Sequence, residues 1–374
     1  MKKSTWLFLI LTTFSILHLQ FTPTKPRPHK VVIAYVFGSR KLINPDSINA
    51  TQLTHINYAF VNIHNGRAVL QKPDTDAINL GRLLDLKKKN PHLKILISVG
   101  GWSWSKNFSD AALTDSSRQL FAQSAAEIVK QYQLDGIDID WEYPGLCGDY
   151  NQFRPEDKEN FTLMLKELRN AMNTLQGPDQ KKYILTIAAG GFQEFLNHTE
   201  MDKAQQYLDF INIMTYDFKT GEDQSTGHHT NLYNSKHDPE GESADKAVRA
   251  FIGAGVKPDK LVMGIAFYGR AWKTAGVQKH GLGDSVRSGA RGGGYTRLKD
   301  SLVNSNGYIR YWDRHAKAPY LYNSPEHVFV TYDDEQSVKA KCKYVKKNGL
   351  GGVMFWEYFG DPKGYLLEAI SKNL

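Results

Sequence analysis

Cysteine is scarce in this sequence. Only Cys147 and Cys342 occur among 374 residues, which is too few for a scaffold of several disulfides, and no C-x-x-C pair or Cys/His cluster offers a zinc site. A single bridge between the two cysteines remains an open alternative. The adjacent His228 and His229 would point to opposite faces of a strand and make a poor bidentate metal site, so we interpret the pair as part of a solvated loop.

Long apolar runs are equally scarce. One run, residues 6–19, follows Lys2 and Lys3; this pattern is typical of a secretory signal, and the run is too short to span a bilayer comfortably. We therefore predict a signal peptide over residues 1–21, a proline-containing linker over 22–29 and a secreted protein. An uncleaved N-terminal anchor is the alternative, and no later stretch is apolar enough to predict a stable membrane span.

The composition shows no extreme. Apolar residues make up 41% and charged residues 23%, which excludes collagen, a long coiled coil and a disordered chain. The net charge of +8 is spread along the chain, and its densest runs, residues 87–89 and 346–347, fall where helices would end and cations are favoured. We therefore expect a basic globular protein that does not bind nucleic acid.

Strand-like and helix-like segments alternate along the chain. Short, mostly continuous apolar runs predict buried parallel strands at 31–37, 55–61, 94–99, 136–140, 184–189, 210–215, 261–267 and 351–356. Helical patterns lie at 76–89, 117–132, 155–175, 243–252, 335–347 and 363–370. This alternation predicts an α/β fold, a (β/α)8 TIM barrel over residues 30–374, with a doubly wound open sheet as the alternative.

One gap between predicted strands is unusually long. The last two strand starts, Leu261 and Gly351, are about 90 residues apart, more than a helix and its loops require. The excess, residues 268–331, is rich in Gly and Tyr. We predict that it forms a small α+β insertion domain between strands 7 and 8 of the barrel, beside the face where barrel active sites lie.

Three acidic residues share one face of the predicted strand at 136–140 and its end. Asp138, Asp140 and Glu142 alternate with apolar residues, so they should point into the barrel and climb to its C-terminal rim. Burying three charges is unfavourable, so at least one pKa should be raised. An exposed acidic edge strand and a divalent-metal site are the alternatives; no second carboxylate cluster is evident at the other strand ends to support a metal.

The run D-G-I-D-I-D-W-E at 135–142 resembles the D-x-x-D-x-D-x-E signature of glycoside hydrolase family 18, the chitinases. Four further segments resemble motifs of that family in the same order: 98–102, 214–217, 268–270 and Trp356. The inserted domain is a mark of the chitinase-A-like subgroup. One departure lies at 188–192, where family members often carry a proline.

The resemblance implies a substrate-assisted mechanism without metal or cofactor. Glu142 would protonate the glycosidic oxygen and later activate water, and Asp140 would hold the acetamido N–H of the sugar. Asp138 would share a proton with Asp140, and Tyr216 would donate to the acetamido oxygen. The acetamido oxygen itself would be the nucleophile, an exception to the usual pair of carboxylates, so the substrate would be chitin or chitooligosaccharides.

Further residues are expected, from the same resemblance, to bind the sugars. They are Tyr35, Phe60, Gly100, Gly101, Trp102, Ser103, Tyr143, Met214, Thr215, Asp217, Tyr268, Arg270, Met354 and Trp356. Tryptophans, including Trp272, concentrate near the predicted strand ends, which favours stacking on sugar faces. Barrel core is the alternative for Phe60 and Met354, and we favour core for Trp141.

Two other functions remain open. A sugar-binding lectin on the same fold is disfavoured because such relatives typically lose the acidic glutamate, which is present here as Glu142. An endo-β-N-acetylglucosaminidase acting on N-glycan cores would use the same mechanism, but an inserted domain and a tryptophan-lined rim favour a linear polymer. We expect a monomer.

Overall fold

The computed structural model describes residues 30–38, 41–175 and 181–374. The predicted signal peptide and linker, 1–21 and 22–29, lie outside these residues. The strands are β1 Val31–Phe37, β2 His55–His64, β3 Arg67–Leu70, β4 Lys94–Gly100, β5 Gly136–Asp140, β6 Ile184–Gly190, β7 Phe210–Met214, β8 Leu261–Ala266, β9 Tyr268–Thr274, β10 Val286–Gly294, β11 Tyr308–Asp313, β12 Ala318–Asn323, β13 Val328–Thr331 and β14 Gly352–Trp356.

Helices alternate with the strands. They are α1 Pro73–Asp85, α2 Phe108–Ala112, α3 Asp115–Gln131, α4 Asp157–Thr174, α5 Gln193–Asn197, α6 Met201–Ala204, α7 Ala244–Gly253, α8 Tyr295–Ser301, α9 Glu335–Lys347 and α10 Tyr365–Asn373. Two helices begin with a reciprocal capping box. The box at the start of α3 is formed by Thr114 and Ser117, and the box at the start of α9 by Asp334 and Ser337. No helix in the described ranges is long and apolar enough to cross a membrane.

Parallel strands close into a barrel. They pair in the order β1-β14-β8-β7-β6-β5-β4-β2, and β2 pairs with β1 to complete the circle. The predicted (β/α)8 barrel is therefore confirmed, and the open-sheet alternative is wrong. A short hairpin strand, β3, extends β2 antiparallel through the turn Asn65–Gly66, where both residues have positive φ.

The two faces of β5 enter different environments. Ile137, Ile139 and Trp141 lie in the large apolar core between strands and helices, where the Trp141 ring stacks on Phe108 at 5.2 Å. Trp141 is therefore a core residue, as expected. The opposite face of β5 points into the barrel, whose small apolar cluster includes Tyr35, Ala188 and Met354. This alternation delivers the carboxylates of β5 to the interior.

The long segment between β8 and β14 forms a second sheet. Its antiparallel strands, in the order β10-β9-β13-β12-β11, run from Tyr268 to Thr331 and carry α8 between β10 and β11. This is the predicted α+β insertion between the last two barrel strands. Trp272 lies 1% exposed in the core of this sheet, packed near Phe329, so it does not belong to the tryptophans at the rim.

Candidate active site

Asp138 lies inside the barrel as a fully hydrogen-bonded carboxylate. Its Oδ2 accepts from the Tyr35 hydroxyl at 2.9 Å and the Ser98 hydroxyl at 2.8 Å. Its Oδ1 accepts from the Thr186 hydroxyl at 2.5 Å and from Nδ2 of Asn212 at 3.2 Å. Burial raises the pKa of Asp138, and these donors oppose the rise. Four barrel strands thus support one carboxylate.

Asp140 and Glu142 continue the acidic row toward the rim. Asp140 is 4% exposed, and its Oδ1 has no hydrogen-bond partner within the described part of the chain. Burial, followed by the charges of Glu142 and Asp138, raises the pKa of Asp140 well above its usual value. Burial also raises the pKa of Glu142 to about 7, with a further contribution from the charge of Asp217. Such a carboxyl keeps its proton near neutral pH and can act as a general acid.

The backbone around Glu142 is held by side chains that the sequence pattern did not indicate. The Glu142 N–H donates to Oγ of Ser105 at 2.9 Å, and Nδ2 of Asn151 donates to the Glu142 carbonyl oxygen. Ser105 Oγ also lies 2.9 Å from the carbonyl oxygen of Gly101. Ser105 is 37 residues from Glu142 in the chain, and Asn151 reaches it through the fold of the loop after β5, so no regular spacing indicated either contact.

Two consecutive glycines at the end of β4 allow close approach of the neighbouring segments. Gly100 and Gly101 have φ of +108° and +85°, which side-chain-bearing residues rarely adopt. A Cβ atom on Gly100 would lie 2.2 Å from the carbonyl oxygen of Asp140, and one on Gly101 would lie 2.7 Å from the ring of Phe60. Both glycines are therefore required by shape.

Aromatic rings form a floor beside the carboxylates. Trp356, at the end of β14, stacks on Phe60 with 5.4 Å between centroids and 18° between planes. Phe37 meets Trp356 edge-on at 6.1 Å, and Trp104 meets Phe60 edge-on at 6.3 Å. Phe37 is 42% exposed and adds to the residues expected from sequence, whereas Trp104 is one of the tryptophans already expected near the strand ends. Met354 is fully buried beneath this floor, so the core interpretation holds for it.

Not every expected sugar-binding residue faces the cleft. Thr215 is fully buried, and its hydroxyl donates to the carbonyl oxygen of Gly264 at 2.7 Å, so its side chain supports β8 instead. Met214 packs against the apolar cluster inside the barrel. Ser103 is exposed beside Trp102, which is itself 51% exposed.

A second aromatic group surrounds Tyr143, the residue that follows Glu142. The ring of Trp102 lies 6.5 Å from that of Tyr143, which in turn meets Phe192 edge-on at 5.1 Å. Tyr216 lies nearer the acidic row, with its hydroxyl 3.8 Å from Sδ of Met354. Burial and the charge of Asp140 raise the pKa of Tyr216, so its phenol keeps its proton and can donate.

Asp217 is the centre of a polar cluster at the end of β7. Its Oδ1 accepts from the Tyr268 hydroxyl at 2.6 Å and from Nε of Arg270 at 2.5 Å, and Nδ1 of His229 lies 3.4 Å away. Burial alone would raise the pKa of Asp217, but His229 and Arg270 hold it well below its usual range. The carboxylate is therefore ionised.

The histidine pair is not a solvated loop, and that interpretation is wrong. The side chains of His228 and His229 are 2% and 0% exposed because the loop after β7 is covered by the insertion. Nε2 of His228 lies 3.3 Å from Oδ2 of Asp313, whereas His229 faces Asp217. Each histidine thus faces a different aspartate, which alternation along the chain alone did not reveal.

Neither cysteine is paired, and no metal site is formed by the described residues. Cys147 is exposed, Cys342 is buried, and both are free thiols. No group of three or more His, Cys, Asp or Glu side chains in the described ranges could hold a metal ion. The acidic row is instead satisfied by hydrogen-bond donors and by protonation.

The chain is similar to known proteins of one family. A sequence model of Glycosyl hydrolases family 18 matches residues 31–361. Chitinase A1 of Niallia circulans is 36% identical over 88% of this chain and 56% of its own length, and Chitinase B of Serratia marcescens is 34% identical over 86% and 76%. This chain thus spans little more than half of the first relative.

A solved structure is also similar over its whole length. A glycoside hydrolase family 18 N-acetylglucosaminidase from Paenibacillus barengoltzii superposes with a TM-score of 0.86 and 43% identity, over 92% of this chain and 100% of that one. The likeness thus extends over both the barrel and the inserted sheet. The chain belongs to glycosyl hydrolases family 18.

Proposed function

We propose that this protein is a secreted chitinase that hydrolyses β-1,4 links between N-acetylglucosamine units with retention of configuration. Glu142 is the single feature that carries the proposal: a half-buried carboxyl at the rim whose pKa is raised to about 7, directly after Asp140 in the acidic row. Membership of a glycoside hydrolase family and relatives named chitinases support the choice of substrate. Secretion is proposed from residues 1–21 of the sequence alone.

Catalysis begins with proton transfer from Glu142 to the glycosidic oxygen, which breaks the bond to the anomeric carbon. The acetamido oxygen of the same sugar attacks that carbon from the opposite face and forms an oxazolinium ion. Glu142, now ionised, removes a proton from water, and the water opens the ring from the face that the leaving group vacated. Two inversions leave the product with the original β configuration.

Asp140 and Tyr216 orient the acetamido group. The unpartnered Oδ1 of Asp140 is available to accept the acetamido N–H, which makes the acetamido oxygen more nucleophilic. Tyr216, whose hydroxyl hydrogen-bonds only Sδ of Met354 among the described residues, is available to donate to that oxygen. A substrate without a 2-acetamido group, such as cellulose or xylan, supplies no nucleophile and should not be cleaved.

Asp138 serves as the proton partner of Asp140. The four donors around Asp138 favour its ionised form, so in the empty enzyme the proton shared by the pair belongs on Asp140. When substrate binds, Asp140 turns toward the acetamido group and passes its proton to Asp138. The buried pair then carries the same total charge before and after binding.

Digestion of the hexamer (GlcNAc)6 tests the proposal. Wild type should release β-anomeric products, detected by mass spectrometry and anomer-resolved NMR within minutes, whereas Glu142→Gln should bind the hexamer without cleaving it. Glu357→Gln is the matched control, because Glu357 is also a half-buried carboxyl with a raised pKa at a strand end, and it should keep activity within about threefold. Products of inverted configuration would contradict the mechanism.

Release of single sugars is a second candidate, because the solved structure with 43% identity and full coverage is named an N-acetylglucosaminidase. Monomer as the first product of the hexamer would favour this mode, and dimers and trimers would favour a chitinase. Binding by wild type without any cleavage would instead favour the lectin. Cleavage of an N-glycoprotein alone would favour the N-glycan enzyme.

A further inference from the structure

We propose that His229 is a positioning residue that holds Asp217 by one carboxylate oxygen and thereby presents the other oxygen to the substrate. The inference rests on the proposed function, in which Asp217 binds a sugar beside Glu142. His229 itself does not touch the substrate, because its side chain is fully buried.

The contacts of Asp217 are strongly one-sided. The hydroxyl of Tyr268, Nε of Arg270 and Nδ1 of His229 all approach Oδ1, at 2.6, 2.5 and 3.4 Å. Within the described part of the chain, no hydrogen bond is formed to Oδ2, although the Asp217 side chain is 36% exposed. A carboxylate held in this way has one oxygen locked and one open to the cleft.

The ring of His229 cannot readily move away from Asp217. The His229 backbone N–H donates to Oγ1 of Thr331 at 3.2 Å, and its carbonyl oxygen accepts from the N–H of Phe218 at 3.1 Å. Its ring centroid lies 5.2 Å from that of Tyr268. The inserted sheet and the loop after β7 therefore fix the ring from both sides.

His229 acts as a neutral donor. Neither ring nitrogen of His229 reaches strict hydrogen-bond geometry among the described residues, but Nδ1 lies 3.4 Å from Oδ1 of Asp217, whereas Nε2 has no acceptor there, so a second proton on Nε2 would be unsatisfied. A single proton is best placed on Nδ1, which faces the carboxylate. The groups that face the ring are Asp217 and Asp333, Arg270, and the phenol of Tyr268; burial has the largest effect and lowers the pKa of His229.

This arrangement links sugar binding to the acidity of the catalytic carboxyl. An ionised Asp217 can accept a hydrogen bond from a sugar hydroxyl, and its negative charge also contributes to the raised pKa of Glu142. Without His229, Asp217 would protonate at a higher pH, since burial would be opposed by fewer donors. Arg270 and Tyr268 would remain, so the effect should be graded.

The adjacent histidine supplies a matched control. His229→Leu removes the donor and keeps bulk, His229→Asn keeps a donor near Nδ1, and His228→Leu removes a buried histidine that faces Asp313 in the insertion instead.

We would measure kcat and KM on the hexamer between pH 3 and 8, together with Tm. His229→Leu should raise KM about 5- to 10-fold and move the acid limb of kcat/KM to higher pH. His229→Asn should restore KM to within about threefold of wild type, and His228→Leu should lower Tm without moving the acid limb.

The test remains decisive if the proposed function fails. Carboxyl-carbon NMR of protein labelled with 13C at aspartate, with Asp217 assigned from the Asp217→Asn spectrum, follows its titration without substrate. A higher titration midpoint in His229→Leu than in wild type is expected. An unchanged midpoint and acid limb, with only a loss of Tm like that of His228→Leu, would show that His229 is merely structural. A wild type that neither binds nor cleaves the hexamer would reject the proposed function alone.

Discussion

Gly100 and Asp140 face each other across the pairing of β4 with β5 so closely that a Cβ atom on Gly100 would lie 2.2 Å from the Asp140 carbonyl oxygen. The backbone of the acidic strand is therefore positioned by the absence of a side chain on its neighbour. Gly100 also has a φ of +108°, which adds backbone strain to any substitution.

Gly100→Ala should lower the free energy of unfolding by about 3 kcal/mol, because it combines a clash with an unfavourable φ. Urea unfolding followed by tryptophan fluorescence would measure this change. Gly81→Ala is the control: Gly81 lies in α1, an added Cβ atom there would meet no neighbouring atom within 4 Å, and alanine should be neutral or stabilise by about 0.5–1 kcal/mol. Equal effects at both positions would contradict the close approach described above.

The pH dependence of turnover should report Glu142. A general acid must carry its proton, so kcat/KM should fall as pH rises through about 7, the raised pKa of Glu142. Asp217→Asn removes a negative charge that raises this pKa, so its basic limb should lie at lower pH. Asp313→Asn is the control, because Asp313 faces the buried His228. This variant should not change the pH of the basic limb. The pH dependence of kcat/KM would be measured for each variant. A basic limb that stays at the same pH in Asp217→Asn would show that the charge of Asp217 does not raise the pKa of Glu142.

The hydroxyl of Tyr35 should matter for catalysis as well as for stability. Tyr35→Phe removes one of the four donors that hold Asp138 beside Asp140, so the proton exchange of the pair should be disturbed and kcat should fall about tenfold. Tyr58 is an equally buried tyrosine whose hydroxyl donates to Asp76 at 2.6 Å outside the acidic row. Tyr58→Phe should destabilise the protein to a similar extent, by about 1–2 kcal/mol, yet keep kcat. Calorimetry and steady-state kinetics would compare the two, and equal losses of kcat would contradict the special role of Asp138.

A buried ion pair should support the junction between barrel and insertion. Lys341 is fully buried, with Nζ 2.6 Å from Oδ2 of Asp333 and 2.7 Å from Oγ1 of Thr230. Lys341→Met would leave Asp333 as an uncompensated buried charge and should lower the free energy of unfolding by about 3–5 kcal/mol. Lys363→Met breaks an exposed pair with Asp300 and should change it by less than about 1 kcal/mol. Similar unfolding midpoints for the two variants would refute this ranking.

Most barrel strands could be predicted from apolar runs, because a parallel strand covered on both faces is apolar along its length. The predicted bounds of the first and fourth barrel strands agree with β1 and β5. The hairpin that forms β3 was not predicted, although Asn65–Gly66 is a known turn signal, because the alternation of strands and helices leaves no place for it. Trp272 was expected near the end of a barrel strand but lies in the core of the inserted sheet. Its position shortly after β8 in the sequence does not indicate whether it packs against the barrel or against the insertion.

The candidate site could be predicted only where chemistry follows a local motif. Asp138, Asp140 and Glu142 follow from their spacing, and the resemblance to a family supplies Asp217. His229, Ser105 and Asn151 could not be found in this way, because each acts through a contact that depends on how its loop folds and not on a repeated spacing.

The sequence by itself determined which side chains of β5 share a face, since alternation in a strand is a property of the backbone. It also determined the number of barrel strands and the place of the insertion. Only the tertiary structure decided the electrostatics. Barrel closure brings Tyr35 to Asp138, the inserted sheet brings Arg270 to Asp217, and the fold of the loop after β7 brings His229 to the same carboxylate. Burial, which depends on every element around the cleft, then raises the pKa of Glu142 to about 7.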